Sequence, residues 1–149
     1  LFSLAYGHWR QAQSRPRRKP LVRVFNPNLK TDGWQSDCTV IEVVNDDMPF
    51  LVDSTGMALN RHGMTIHLTV HPVFNLIRSL KGELLEVLAP DEAADDSIRE
   101  SFMQIQIDRE TDRDFFANLM FWLPWNLTNG GKTNLKRSKK KCLIASNAL

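Results

Sequence analysis

The sequence predicts an α+β domain in which helices cover one face of an antiparallel sheet. Three observations favour this class. Apolar residues alternate with period two at residues 39–44 and 101–108, a helical period follows Pro49, and a Lys81–Gly82 turn joins two further apolar runs. The order of strand, helix, strand, strand and helix makes up most of a βαββαβ unit, and we expect its final strand to be missing.

Composition narrows the class of protein. The 149 residues include 19 Lys and Arg against 17 Asp and Glu, and 42% of the residues are hydrophobic. These values are typical of one globular domain and exclude a chain that is disordered as a whole. No apolar run approaches the roughly 20 residues of a membrane span, so we expect a soluble protein with no membrane partner. Cys38 and Cys142 lie far apart, which favours neither a disulfide framework nor a zinc site, and we therefore expect the reducing cytoplasm as the compartment.

Residues 1–19 are expected to form a helix end followed by a basic linker. Apolar residues recur at roughly helical spacing through residues 2–13, and Pro16 ends that pattern. The segment RPRRK at 15–19 contains one proline and precedes another, which is typical of a solvated linker. The chain lacks an initiator methionine, and Leu1 therefore indicates a fragment of a longer reading frame.

The domain itself is expected over residues 20–119, and its first half holds two strands and a helix. PLVRVFNP at 20–27 predicts a short edge strand bounded by prolines, and CTVIEVV at 38–44 predicts a core strand. In the core strand Thr39, Ile41 and Val43 share one face. The helix that follows buries one face and ends at Gly63 in a left-handed C-cap. That face consists of Leu51, Val52, Thr55, Ala58, Leu59 and His62.

The second half of the domain is expected to begin with one long strand at 64–78. Its alternation places Ile66, Leu68 and Val70 on one face and Thr65, His67, Thr69 and His71 on the other. Residues 79–88 return as its hairpin partner, and residues 89–100 form an acidic surface loop. SFMQIQID at 101–108 alternates again, with Phe102, Gln104 and Gln106 opposed to Met103, Ile105 and Ile107. A second helix then begins, with Thr111 or Asp112 as its N-cap.

The segment NDDMPF is the candidate site, because it lies where the core strand ends and a helix starts. It consists of Asn45, Asp46, Asp47, Met48, Pro49 and Phe50. Asp47 is expected to cap the helix amides, Pro49 suits the first helical turn, and Asp53 lies near the positive end of the helix dipole. Two interpretations stay open: the segment is a helix cap and nothing more, or it is a ligand-binding loop.

Five blocks of sequence occur in order between about residues 5 and 114. They read AYGHWRQAQSR, VRVFNPN, GWQSDCTVIEVVNDDMPFLVDS, LNRHGMTIHLTVHPV and ESFMQIQIDRETD. Together they resemble the amino-terminal region of the large NAD-specific glutamate dehydrogenases of bacteria, which carry ACT-type regulatory modules ahead of the catalytic domain. The resemblance implies a ferredoxin-like, ACT-type regulatory domain.

The same resemblance implies partners for the chain. In ACT modules an amino-acid effector lies near the first strand-to-helix loop, a position that corresponds here to Asn45–Phe50. The other domains of the parent chain and further copies in a homo-oligomer are also implied partners. The parent enzyme would oxidise L-glutamate to 2-oxoglutarate and ammonia with NAD, and the NAD site would lie outside this fragment.

Two alternatives to a regulatory module of the dehydrogenase stay open: a free-standing amino-acid-sensing ACT module and a purely structural interaction domain. No GxGxxG motif follows a strand, so we expect no cofactor in this fragment and no dehydrogenase activity from it alone. No nucleophile and base pair points to other catalysis. His67 and His71 are about 13 Å apart in an extended strand, too far to bind one metal ion.

Residues 120–149 are expected to be non-native. The resemblance stops before them, and the segment holds Pro124, a Gly130–Gly131 pair and the basic run KRSKKK at 136–141. A frameshift after about Leu119 would account for this change, and we expect no packed element after Met120. Basic runs can neutralise phosphates, but a run in a shifted frame is no evidence for a nucleic-acid partner, and we expect none.

Overall fold

The structure, a computed structural model, describes residues 2–92 and 94–128. These residues contain four helices and a six-stranded antiparallel sheet. In chain order the elements are α1 (Phe2–Ala12), β1 (Leu21–Phe25), α2 (Leu29–Asp32), β2 (Thr39–Asp46), α3 (Leu51–Arg61), β3 (Ile66–Val70), β4 (Val73–Arg78), β5 (Leu84–Leu88), β6 (Ile98–Ile107) and α4 (Arg113–Thr128). The predicted α+β class with an antiparallel sheet is confirmed. Within the described ranges, no helix is long and apolar enough to span a bilayer.

The sheet is organised around β6. β2 pairs with one side of β6, and β3 and β4 pair end to end with its other side. β5 extends the sheet beyond β4, and β1 extends it beyond β2. The last strand of a βαββαβ unit pairs beside the first strand, and here β1 holds that position. The described residues contain no strand after α4, and β1 covers the edge at which such a last strand would pair.

One face of the sheet is apolar and lies under α3 and α4. Its core is a cluster of Ile41, Val43, Leu51, Leu59, Met103, Ile105, Ile107, Leu119, Leu123 and Leu127. The predicted alternation of β2 and β6 is confirmed, because Ile41 and Val43 of β2 and Met103, Ile105 and Ile107 of β6 all belong to this cluster. Gly63 ends α3 with φ +77, as predicted. Asp112 caps α4 by accepting a hydrogen bond from the Asp114 amide at 2.9 Å.

A helix was predicted at residues 2–13, but its packing on the opposite face of the sheet was not. Ala12 at the end of α1 is buried with Val44, Leu76 and Phe102 in a second apolar cluster. The two helices of the predicted unit, α3 and α4, do lie together on one face, and α1 is an additional helix on the other. The prediction of a solvated linker at 15–19 is wrong for Arg15, whose relative exposure is 1%.

The predicted strand at 64–78 is two strands. A register irregularity between Ile66 and Leu68 changes the alternation, so Ile66 packs with the α3 and α4 cluster whereas Leu68 and Val70 are exposed on the other face. Pro72 then separates β3 from β4, since proline cannot donate a ladder hydrogen bond. The prediction that Ile66, Leu68 and Val70 share a face is wrong for this reason.

The helix α4 continues nine residues beyond the predicted end of the native segment. Leu123 and Leu127 follow Leu119 at intervals of four and are buried with it. The expectation of no packed element after Met120 is therefore wrong for residues 120–128. Residues 129–149 lie outside the described residues, and the frameshift stays a prediction.

Candidate functional site

The Asn45–Phe50 loop joins the end of β2 to α3, and the helix begins later than the sequence indicated. Leu51 is the first residue of α3, and Phe50 occupies the N-cap position with φ +62 and no side-chain hydrogen bond to the first turn. The predicted cap by Asp47 is wrong, and Pro49 precedes the helix instead of lying in its first turn. Asp53 does lie in the first turn, as predicted.

Asp47 makes its contacts with β6. Its amide donates to the carbonyl oxygen of Arg99 at 2.9 Å, and its carboxylate Oδ2 lies 3.2 Å from Arg99 Nη2. The Arg99 side chain is mostly exposed, so solvent screens this ion pair. Asp47 therefore fixes the path of the loop across the sheet and does not stabilise the helix start.

Asp46 belongs to a charged cluster on the α1 face of the sheet, which we call the Arg15 cluster. It consists of Arg15, Asp46, Arg78 and Glu100. Arg15 reaches both acids, with Nη2 at 2.7 Å from Asp46 Oδ1 and Nη1 at 2.6 Å from Glu100 Oε1. Arg78 binds Glu100 in a bidentate manner, at 2.7 Å through Nε and 2.8 Å through Nη2. Two cations balance two anions, so the charges are compensated although three of the four side chains are buried.

Gly82 connects this cluster to the turn between β4 and β5. Its carbonyl oxygen accepts from the Arg15 amide and from Arg78 Nη1, each at 2.9 Å. Gly82 has φ +91, and a Cβ at this position would overlap the carbonyl oxygen of Arg15. The close approach of the two backbones joins the segment after α1 to the β4–β5 hairpin.

Asn45 and Met48 lie on the other face of the sheet from Asp46. Asn45 is 3% exposed, pairs in register with Ser101, and its Nδ2 has no hydrogen-bond partner. Met48 packs against the α3 and α4 cluster. The predicted site is therefore a contiguous segment whose polar side chains point to different surroundings: Asp46 to Arg15, Asp47 to Arg99 and Asn45 into the core.

A second buried polar group lies on the α1 face, four residues along the same strands. Glu42 of β2 pairs in register with Gln104 of β6, and Gln104 Nε2 donates to Glu42 Oε1 at 3.4 Å. Burial raises the pKa of Glu42 to about 7, although the positive charge of Arg23 opposes the shift. Arg23 Nη1 lies 3.7 Å from Glu42 Oε2, too far for a hydrogen bond, while its Nη2 binds Asp32 at 2.6 Å.

His8 completes this group from α1. Its ring lies 5.6 Å from the ring of Phe102, and burial lowers the pKa of His8 to about 4, with a backbone hydrogen bond to Val43 opposing the shift. The imidazole is therefore neutral at pH 7. His8 Nε2, Gln104 Oε1 and Glu42 Oε2 are buried atoms without a hydrogen-bond partner. We call His8, Glu42 and Gln104 the Gln104 group.

The other histidines have separate partners. His67 Nε2 lies 2.8 Å from Asp108 Oδ1, and His71 Nε2 lies 2.6 Å from Ser101 Oγ. Within the described part of the chain, no three His, Cys, Asp or Glu side chains form a group that could hold a metal ion.

The sequence contained one signal for the polar clusters that the predictions missed. Glu100, Phe102 and Gln104 alternate along β6, so the pattern that places Phe102 on a buried face also places two polar residues there. Buried acids require partners, and an unexplained acid on an inward face is a reason to search for a distant arginine. Without the fold, the sequence could not show that Arg15 and Arg78 are the partners of Glu100.

Comparison with known proteins identifies the family. Residues 1–120 match the family model described as "Glutamate dehydrogenase, ACT1 domain". The NAD-specific glutamate dehydrogenase of Pseudomonas aeruginosa strain PAO1 is 46% identical over 101 residues, which is 68% of this chain and 6% of the relative. The NAD-specific glutamate dehydrogenase of Halomonas elongata is 38% identical over 112 residues, 75% of this chain and 7% of the relative. No solved structure matches the chain.

The chain thus spans 6% to 7% of the length of these curated relatives. The family match supports the ferredoxin-like, ACT-type class that the resemblance implied, and it agrees with the antiparallel sheet and the two helices on its apolar face. From the match over residues 1–120, the chain belongs to the glutamate dehydrogenase ACT1 domain family.

Proposed function

We propose that this chain is the amino-terminal regulatory and oligomerisation module of a cytoplasmic NAD-specific glutamate dehydrogenase. The observation that carries the proposal is the family match over residues 1–120, together with relatives that bear this enzyme's name. The parent enzyme converts L-glutamate and NAD to 2-oxoglutarate and ammonia, and its NAD site lies in another part of the parent. The purified chain should form no NADH from glutamate and NAD, and a measurable rate would contradict the proposal.

The regulatory part of the proposal assigns an amino-acid effector to the Asn45–Phe50 loop. Two features support it. The first-turn amides of α3 receive no side-chain cap, and the Asp46 side chain is 46% exposed. Amides at a helix start suit a carboxylate, and an exposed aspartate suits an ammonium group.

The two ends of an amino acid would therefore have different partners. The carboxylate would accept hydrogen bonds at the start of α3, and the ammonium would share the Asp46 carboxylate with Arg15. Binding would then act on the Arg15 cluster, which joins the loop to the segment after α1 and to the β4–β5 hairpin. This connection gives the effector a route to elements outside its own loop.

Calorimetric titration of the chain with a panel of L-amino acids tests this assignment. Asp46→Asn retains the shape of the side chain and removes its charge, so it should weaken binding about tenfold. Asp53→Asn removes a nearby acid in the first turn of α3 that is not assigned to the ammonium, and it should leave the Kd close to the wild-type value. If no amino acid binds, or if Asp46→Asn binds as tightly as the wild type, the effector site is wrong.

Assembly through protein contacts is the second candidate function. Phe50 is 78% exposed and Met57 is 54% exposed. Two large apolar side chains are therefore open to solvent at this element, one at the N-cap of α3 and one within the helix. Sedimentation of the chain should show self-association that Phe50→Ser or Met57→Ser weakens, whereas a monomer at all concentrations would contradict an oligomerisation surface within this module.

A further inference from the structure

A pocket of about 400 Å³ lies between α1 and the α1 face of the sheet, away from the Asn45–Phe50 loop. Its walls come from α1, from the junction of β3 and β4, and from β4 and β6. They consist of Ala5, Tyr6, His8, Trp9, Val70, Pro72, Phe74, Phe102 and Gln104. The volume lies within the range of known small-molecule sites, and a mostly apolar lining with few polar groups is typical of them.

Two of the lining residues have buried polar atoms without partners. His8 is 7% exposed and Gln104 is 3% exposed, and neither His8 Nε2 nor Gln104 Oε1 has a hydrogen-bond partner. The large majority of buried side-chain polar atoms in folded proteins have a hydrogen-bond partner, so two unsatisfied atoms in one pocket are unusual. A bound molecule that donates to both atoms would satisfy them.

The lining determines the chemistry of that molecule. No wall residue is charged at pH 7, since burial keeps the His8 imidazole neutral. A carboxylate or an ammonium group would lose its hydration without gaining an ion pair, and both are therefore disfavoured. The free amino acid proposed for the loop does not fit this pocket.

The aromatic walls favour a planar ring. Trp9 stacks near Phe102 at 6.1 Å between ring centroids, and Phe74 meets Phe102 edge to face at 5.1 Å. A further ring can add to such an arrangement through stacked or edge contacts. Gln104 Oε1 is an acceptor, and His8 Nε2 is an acceptor when the other ring nitrogen donates to the Val43 backbone.

We propose that the pocket under α1 binds an uncharged planar ring compound whose N–H or O–H group donates to His8 Nε2 or Gln104 Oε1. The site is separate from the loop assigned to an amino-acid effector, and it adds a second class of ligand to the module. Val70 and Gln104 bring β3 and β6 to the site, so an occupant would contact both the helix and the sheet.

Indole and 1-methylindole are matched probes for this proposal, because they share a ring system and only indole carries an N–H donor. In titrations of the 149-residue chain followed by NMR, indole should bind and shift the resonances of His8 and Trp9. 1-Methylindole should bind about tenfold more weakly, which corresponds to the loss of one buried hydrogen bond. L-Tryptophan, which carries both charges, should not bind in this pocket.

Two variants of β6 provide the protein control. Gln104→Met keeps the length of the side chain and removes the acceptor, so it should weaken indole binding about tenfold. Gln106→Met makes the same change two residues away on the same face, outside the pocket, and should bind indole as the wild type does. Absence of indole binding up to its solubility limit, equal affinity for the two probes, or equal losses in the two variants would each overturn the proposal. The comparison of probes uses the wild-type chain and therefore holds even if Gln104→Met fails to fold.

Discussion

The same two strands carry two polar pairs on the same face, and the hydrogen-bonding groups of the two pairs are satisfied to different degrees. Asp46 and Glu100 pair in register at one end, and Glu42 and Gln104 pair four residues away. In the Arg15 cluster, the Glu100 carboxylate receives three hydrogen bonds from two arginines. In the Gln104 group, three buried atoms have no hydrogen-bond partner.

The two regions differ in which acids their arginines bind. Arg15 and Arg78 come from the segment after α1 and from β4, and both point at Glu100. Arg23 is the cation nearest to Glu42, but it binds Asp32 at 2.6 Å and approaches Glu42 Oε2 only to 3.7 Å. A compensated cluster of this kind holds elements together, whereas an uncompensated group next to a pocket is available to a ligand.

Neutralising the acid in each region gives the largest expected contrast. Glu100→Gln leaves Arg15 and Arg78 buried without their shared anion, so we expect it to lower the free energy of unfolding by roughly 3–5 kcal/mol. Glu42→Gln removes a poorly compensated buried acid and should cause no loss at pH 8. Urea unfolding of the two variants measures the difference, and equal losses would mean that the two regions are not distinct.

The pH dependence of stability sharpens the same comparison. The pKa of Glu42 is about 7 in the folded protein, against an ordinary value of 4.5. Between these values the folded state holds more protons than the unfolded state, so Glu42 makes stability fall as the pH rises through this window. The difference corresponds to about 3 kcal/mol.

Glu42→Gln should therefore gain about 3 kcal/mol relative to the wild type between pH 4.5 and pH 8. Glu86→Gln, on the exposed strand β5, should show no such gain. His8 makes an opposite contribution, because its lowered pKa makes stability fall as the pH drops from about 6.5 to about 4. The contribution of His8 to the pH dependence is the same in all the variants, so it cancels in the comparison. A constant difference between Glu42→Gln and the wild type would show that Glu42 is ionised throughout.

The backbone contact at Gly82 tests whether the Arg15 cluster depends on close approach. Gly82 and Gly33 both have positive φ, at +91 and +74, but a Cβ on Gly33 meets nothing within 4 Å whereas one on Gly82 overlaps Arg15. Gly33→Ala should cost about 1 kcal/mol through backbone strain alone. Gly82→Ala should cost about 2 kcal/mol more, because the hairpin must move away from Arg15. Thermal unfolding compares the two variants, and equal losses of stability would mean that the close approach to Arg15 adds nothing to the cost at Gly82.

The elements that the sequence predicted well are those whose signals are local. The alternation of β2 and β6 and the face of α3 from Leu51 to Leu59 follow from periodicity, although His62 lies beyond α3 and is exposed. Gly63 follows from the need for a left-handed residue at a helix end. The missed features depend on distant partners: Arg15 and Glu100 are 85 residues apart in the chain. A single register irregularity near Ile66 was enough to change which face Leu68 and Val70 occupy, and hydrophobic alternation alone cannot show a bulge.

The candidate loop shows the same limit at the scale of single residues. Its position between β2 and α3 was predicted, as the period changes there from two to 3.6. The roles of its acids were not, because capping depends on where the helix begins. Phe50 intervenes in a left-handed conformation, so α3 starts at Leu51, beyond the reach of an Asp47 cap.

The smallest expected effect distinguishes Asp47 from its neighbour in the Arg15 cluster. Asp47 contacts Arg99 at 3.2 Å, on a side chain that is mostly exposed, and such pairs contribute about 0–1 kcal/mol. Asp47→Ala should therefore lower stability by no more than about 0.5 kcal/mol, and Asp47→Ser should behave alike because no amide is capped. Asp112→Ala is the matched control, since Asp112 caps α4, and its loss should be about 1 kcal/mol. If chemical denaturation shows that Asp47→Ala costs as much as Asp112→Ala and that serine restores the loss, then the helix starts at Asp47 in solution and the loop is a cap.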